Sequence, residues 1–170
     1  MPADTHSLRF QEKLGYGLGD AASNFFFQTF NLFLLYDYTD VFGLAPAAVG
    51  TMFLVTMIVD AVSDPAMGLV ADRTDSRWGI FRPYLLWAAI PYGFFGYAMF
   101  FSPDLSATGK LVYAYATYTL MKLAYTAVNV PYSALMGVIS PSSTERTKVA
   151  AYRFIAAFTA GWLIATFVTP

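Results

Sequence analysis

The sequence has no cysteine, a single histidine, and few charges: 12% of its 170 residues are Asp, Glu, Lys or Arg. Without cysteine there is no disulfide frame, no thiolate metal site and no clue to redox compartment. His6 stands in a polar leader, where a solvated ring is the expected state. Soluble domains average roughly 25% charged residues, so a water-facing exterior fits this chain poorly. A net charge of -1 gives no sign of a nucleic-acid partner. No hydrophilic domain, low-complexity stretch or tight repeat interrupts the chain. The opening residues lack the charged start, short apolar stretch and small-residue cleavage site of a secretory signal.

What is present is apolar and aromatic. Hydrophobic residues make up 57% of the chain, with 16 Phe and 12 Tyr. Runs such as Phe25-Phe26-Phe27 and Gly93-Phe94-Phe95-Gly96-Tyr97 suit lipid-facing and interfacial surface. A bilayer core of about 30 Å takes about 20 helical residues at 1.5 Å each. Five segments meet that length, at about 14–36, 46–71, 83–101, 111–139 and 149–168. Backbone groups in lipid must be paired within their own segment, so all five are expected to be helices of an all-α, polytopic membrane protein, preceded by a short segment at 1–13. Gly43 before Pro46, Ser102-Pro103-Asp104, and Ser140 to Glu145 read as the turns between them. A water-soluble core large enough to bury five such helices does not fit in 170 residues.

Orientation follows from the basic residues. With the N-terminus cytoplasmic, the inner side receives Arg9, Lys13, Arg73, Arg77, Arg82, Arg146 and Lys148, and the outer loops only Lys110. Seven against one is a strong positive-inside bias.

Polar groups inside the spans carry the functional information. Asp60 and Asp64 are four residues apart, on one helix face, about 18 Å and 12 Å from the span end at Asp72. A charged aspartate at that depth costs at least about 2.5 to 3.5 kcal/mol, so each must face a partner, a cavity or an ion. Two carboxylates one turn apart oppose each other's ionisation, and together they can hold a proton or give hard oxygen ligands to a metal cation such as Na+. Pro65 removes a helical hydrogen bond and frees the carbonyl near Ala61. In the fourth span Lys122, Tyr125, Thr126 and Asn129 precede Pro131. Counted back from Ile139, Asn129 lies at the depth of the two aspartates, where its amide can complete an ion shell or reach a substrate hydroxyl. Lys122 can neutralise an acidic residue or join a gate.

In the first span Asp20, Asn24 and Gln28 form a polar stripe, either interhelical glue or substrate contact. Arg153 in the fifth can donate to sugar hydroxyls or pair with an aspartate. Tyr125 and Tyr132 suit either a cavity wall or ordinary packing. Gly15, Gly17 and Gly19 lack the strand and spacing of a phosphate loop and suit close helix packing instead. Between spans two and three, Asp72, Arg73, Asp75, Arg77 and Arg82 alternate in sign. They are expected to work as a cytoplasmic gate whose ion pairs form and break, since three arginines beside two aspartates make no basic groove.

Lys13-Leu-Gly-Tyr-Gly17, Tyr38-Thr-Asp-Val-Phe-Gly-Leu44, Asp60-Ala-Val-Ser-Asp64-Pro65, Asp72-Arg73 through Arg77-Trp78-Gly79, and Tyr125 through Pro131-Tyr132 together resemble the glycoside-pentoside-hexuronide cation symporters. These form a branch of the major facilitator superfamily, and the likeness runs from about Lys13 to Trp162. The resemblance implies that Asp60 and Asp64 match paired cation-binding aspartates, Thr126 a neighbouring hydroxyl ligand, and Arg153 a sugar-contacting arginine. It departs at Asn24 and Asn129, where melibiose-transporting members carry carboxylates, at Met57 in place of an arginine, and at Lys122 in place of a small residue. These changes leave sodium preference and galactoside specificity open.

The family's proteins usually have twelve spans in two halves. The chain is therefore expected to be a partial N-terminal bundle, with the missing C-terminal half of the same protein as its partner. The expected function is co-transport of a sugar or glycoside with Na+ or H+ by alternating access, in an inner or plasma membrane, with no cofactor. A carrier of a lipid, drug or organic acid is the alternative, and a nontransporting scaffold, a channel or an enzyme come behind. Asp60 and Asp64 lack the histidine cluster, nucleophile and base, or cofactor motif that an enzyme needs.

Overall fold

A computed structural model describes residues 8–167; His6 and the end of the fifth expected span lie outside them. Five helices follow in order: α1 (Phe10–Tyr36), α2 (Pro46–Asp72), α3 (Arg82–Met99), α4 (Ala107–Val138) and α5 (Ser143–Phe167). No strand occurs among the described residues. The helices overrun several of the apolar segments. α1 begins at Phe10, where the Glu12 carboxylate accepts a bond from the Arg9 backbone N–H at 2.8 Å. That contact pairs an amide the helix itself cannot satisfy. α2 and α5 are, by length and composition, apolar enough to cross a membrane.

At the end of α1 the chain widens into a π-helical turn, Asp37–Val41. The Phe42 N–H then reaches the Asp37 carbonyl at 2.7 Å, and the Leu44 N–H the Tyr38 carbonyl at 2.8 Å. Gly43 follows with φ of 76°, a conformation that a side chain would strain. Pro46 opens α2, where the missing N–H costs nothing. Pro65, Pro91 and Pro131 lie inside α2, α3 and α4, and each helix continues through its proline. The Ala61 carbonyl therefore lacks its usual donor four residues on.

The chain divides into two compact units, Met1–Leu32 with Leu135–Pro170, and Phe33–Ala134. In the first, α1 and α5 run parallel. Lys13 meets Glu145, Asp20 meets Arg153, and Gln28 lies against Gly161, a register offset of about 133 residues held over four turns. Gly17 makes this approach possible, since a Cβ there would stand 3.2 Å from the Tyr152 carbonyl oxygen. Gly15 has nothing within 4 Å of the same position, so close packing belongs to Gly17 and not to Gly15.

In the second unit α2 and α4 are also parallel. Asp60 meets Lys122, Asp64 meets Thr126, and Gly68 faces Val130, with one constant offset. Towards the other end Phe53 packs its ring on Tyr118, and the Tyr115 hydroxyl donates to the Ala48 carbonyl at 3.2 Å. Leu34, Tyr38, Val49, Met52 and Met121 are almost fully buried in this unit. Outside, Ile58, Ile90 and Phe94 are more than half exposed, as is Phe158 on α5. This is the inverse of a water-soluble surface and the pattern expected of helices solvated by lipid.

Candidate cation and substrate sites

Asp60 sits at the middle of α2, 27 residues long and otherwise nearly free of charge. Its Oδ2 lies 2.6 Å from the Lys122 Nζ, and both side chains are largely buried. Its Oδ1 is buried with no hydrogen-bond partner. One turn along, on an exposed part of α2, Asp64 Oδ1 accepts a bond from the Thr126 hydroxyl at 2.7 Å. The two carboxylates are thus held differently, one by a full charge and the other by a neutral donor. Thr126 is itself buried, so its hydroxyl is fixed in direction. Two carboxylates and a hydroxyl on adjacent parallel helices form an oxygen-rich group able to hold a hard cation or a proton.

Counting from the span ends puts Asn129 at the depth of Asp60 and Asp64, and the register refines this, since α4 runs on past the end of α2. With Lys122 opposite Asp60, Asn129 lies seven positions further along α4, about 10 Å beyond it and about one turn past Thr126. It is half-buried and makes no side-chain hydrogen bond among the described residues. Tyr125 stacks obliquely on Tyr92, with ring centroids 5.8 Å apart, and the Lys122 ammonium stands at the same distance from the Tyr125 ring centre. An aromatic ring beside a cation adds a further attraction for it.

In the first unit Asp20 is only 4% exposed and fully engaged. Arg153 Nε donates to its Oδ1 at 2.9 Å, and Asn24 Nδ2 donates to its Oδ2 at 3.1 Å and to its backbone carbonyl at 2.9 Å. The Tyr16 hydroxyl also interacts with Arg153 by a side-chain hydrogen bond. Of the two roles open to Arg153, pairing with an aspartate is the one present in this structure. A substrate there would meet a pre-assembled Asp20–Arg153–Asn24 cluster, not isolated groups.

At the start of α5, Glu145 bridges two cations, Lys13 at 2.6 Å and Lys148 at 2.8 Å. Hydrogen bonds from Lys13 and then Lys148 hold its carboxyl down to about 2. Lys13 and Glu145 pair within one residue of the offset of Asp20 and Arg153, which only the register reveals. Between α2 and α3, no ion pair joins Asp72, Arg73, Arg77 and Arg82 among the described residues. Arg77 instead lies over the Trp78 ring, 5.2 Å from its centre, and the Thr74 and Tyr84 hydroxyls share a hydrogen bond. Arg73, Arg77, Arg82 and Asp72 are exposed.

Residues 15–170 match the family of MFS/sugar transport proteins. The chain is 49% identical over 163 residues to the inner membrane symporter YicJ of Escherichia coli, covering 96% of this chain and 35% of that protein. It is 43% identical to the glucuronide carrier protein homolog of the same organism, over 85% of the chain and 32% of the relative. To the isoprimeverose transporter of Lactiplantibacillus pentosus it is 38% identical, over 94% and 33%. The chain thus spans about a third of the length of the curated relatives it matches.

Proposed function

The chain belongs to the MFS/sugar transport protein family, and from that premise we propose that it forms part of a cation-coupled carrier of a sugar or glycoside. Its five helices are a partial N-terminal bundle of the major facilitator fold, in a multi-pass membrane protein. The observation that carries the proposal is the α2–α4 group: Asp60 with a bare buried Oδ1, and Asp64 held by Thr126. Charge of this kind is costly in a membrane helix unless a partner charge, an ion or a proton offsets it; Lys122 partners one Asp60 oxygen and leaves the other bare.

In this reading the coupling ion, Na+ or H+, is held at Asp60 and Asp64 with Thr126 as the neighbouring ligand, and the Asn129 amide, about one turn past Thr126 on α4, serves the ion shell or a substrate hydroxyl. In the first unit Asp20, Asn24 and Arg153 offer donors and acceptors for sugar hydroxyls, and in the second Tyr125 offers a ring face for sugar CH groups. Neutralising the aspartates strengthens substrate binding, and by linkage the substrate strengthens ion binding by the same factor. No bond in the substrate is made or broken, so the protein acts as a carrier and not as an enzyme. The N-terminus is cytoplasmic, and Asp72, Arg73, Arg77 and Arg82 close the inner side against groups of the other half of the transporter.

The test is uptake of labelled glycosides and pentosides into vesicles holding the full-length gene product, under separately imposed Na+ and H+ gradients, with D60N in parallel. The proposal expects saturable uptake driven by a gradient and lost in D60N. Folded protein that admits no sugar under either gradient would overturn the sugar assignment, and gradient-driven uptake untouched by D60N would overturn the ion site.

A further inference from the structure

Lys122 puts a covalently tethered cation where the reading above puts a mobile one. Its ammonium lies 2.6 Å from Asp60 Oδ2, a contact length that leaves no room for a metal ion between them. The pairing is built, not incidental. Lys122 and Asp60 are both largely buried, on parallel helices whose register is fixed one turn on by Thr126 and Asp64 and two turns on by Val130 and Gly68. The Tyr125 ring flanks the same ammonium at 5.8 Å. A lysine buried this far along a membrane helix does not readily withdraw to water, since its stem is too short to reach an interface from mid-span.

We infer that Lys122 is a specificity-determining residue: its ammonium occupies the Asp60 carboxylate in place of Na+, so that this carrier works without a metal cation, and removing the lysine opens a sodium site. The inference rests on the functional reading above and narrows it. A strongly hydrated Na+ must exchange its water for protein oxygens, and it cannot do so at a carboxylate already neutralised by a fixed charge. With Lys122 gone, Asp60 offers both oxygens, and one turn along α2 Asp64 and the Thr126 hydroxyl bonded to it are the further oxygen donors.

Two readouts on the purified full-length protein test this. The first is thermal unfolding in detergent with NaCl, LiCl or choline chloride at equal ionic strength. The second is sugar uptake in vesicles with the same salts. Wild-type protein is expected to respond equally to the three salts in both. K122A is expected to gain a saturable Na+-dependent stabilisation, and Na+ should enhance its sugar binding by a factor of about 5 to 150. K122R, which keeps the charge, should remain indifferent to Na+, and K122A/D60N should lose the gained response. If K122A does not fold, K122M, of similar length and uncharged, takes its place.

A wild-type protein specifically stabilised or driven by Na+ overturns the inference, as does a folded K122A or K122M with no sodium response. Both results leave sugar transport itself intact. Absence of uptake by wild-type protein under any gradient is instead the failure of the carrier assignment, while the unfolding measurement still decides whether Lys122 excludes the ion.

Discussion

Breaking the Asp20–Arg153 pair from one side should destabilise the protein far more than removing both partners. In R153M the Asp20 carboxylate stays 4% exposed in the α1–α5 contact, while the bond to Nε at 2.9 Å is gone. Losing one member of a buried ion pair costs about 3–5 kcal/mol, because the other charge is stranded. Asn24 still donates at 3.1 Å, so the carboxylate keeps one hydrogen bond and the cost falls toward the lower end of that range. The expected net cost of R153M is therefore about 3–4 kcal/mol, and D20N should cost a similar amount by stranding the guanidinium. D20N/R153M removes both charges and should recover to within about 1 kcal/mol of wild type, since neutral replacement of a buried pair is often harmless. The double-mutant cycle then gives a coupling of about 3 kcal/mol or more, read by chemical unfolding of the full-length protein in mixed micelles. Additive single effects, or a cost for R153M below about 1 kcal/mol, would refute the reasoning. Uptake separates structure from substrate contact. If Arg153 also binds sugar, the double variant regains stability without regaining transport.

Two further outcomes follow from the α1–α5 contact. G17V should cost about 1–3 kcal/mol, because its Cβ would stand 3.2 Å from the backbone oxygen of Tyr152, which no rotamer change can move, whereas G15A, with nothing within 4 Å, should be neutral or stabilising; unfolding of the two variants side by side checks it. Glu145 has a folded-state carboxyl pushed down to about 2 from an ordinary 4.5 by Lys13 and Lys148. A depressed carboxylate stabilises the fold above its unfolded value and loses that contribution as pH falls through the window from about 4.5 to about 2. The gap in melting temperature between wild type and E145Q should be constant above about pH 5 and shrink across that window; a gap independent of pH would remove the clamp from the account.

The arithmetic of apolar length and scarce charge was enough to find five helices from the sequence, and the depth of Asp60 and Asp64 singles them out as a candidate ion site. Both follow from a bilayer's intolerance of unpaired polar groups, which writes itself into composition and spacing. Gly43 and Pro46 were legible as the α1–α2 turn for the same kind of local reason: φ of 76° and a helix start each prefer one residue type.

What composition cannot encode is which turn of one helix stands beside which turn of another. Counting from span ends puts Asn129 at the depth of Asp60 and Asp64, but helices of 27 and 32 residues have no common origin. The fold sets the register, and it places Lys122 opposite Asp60 and Thr126 opposite Asp64, with Asn129 about one turn further on. Likewise the sequence leaves Arg153 open to a sugar or an aspartate, and only the α1–α5 packing brings Asp20 within 2.9 Å of it. Spacing along one helix is a property of the chain, while the match between two helices is decided only when their side chains pack.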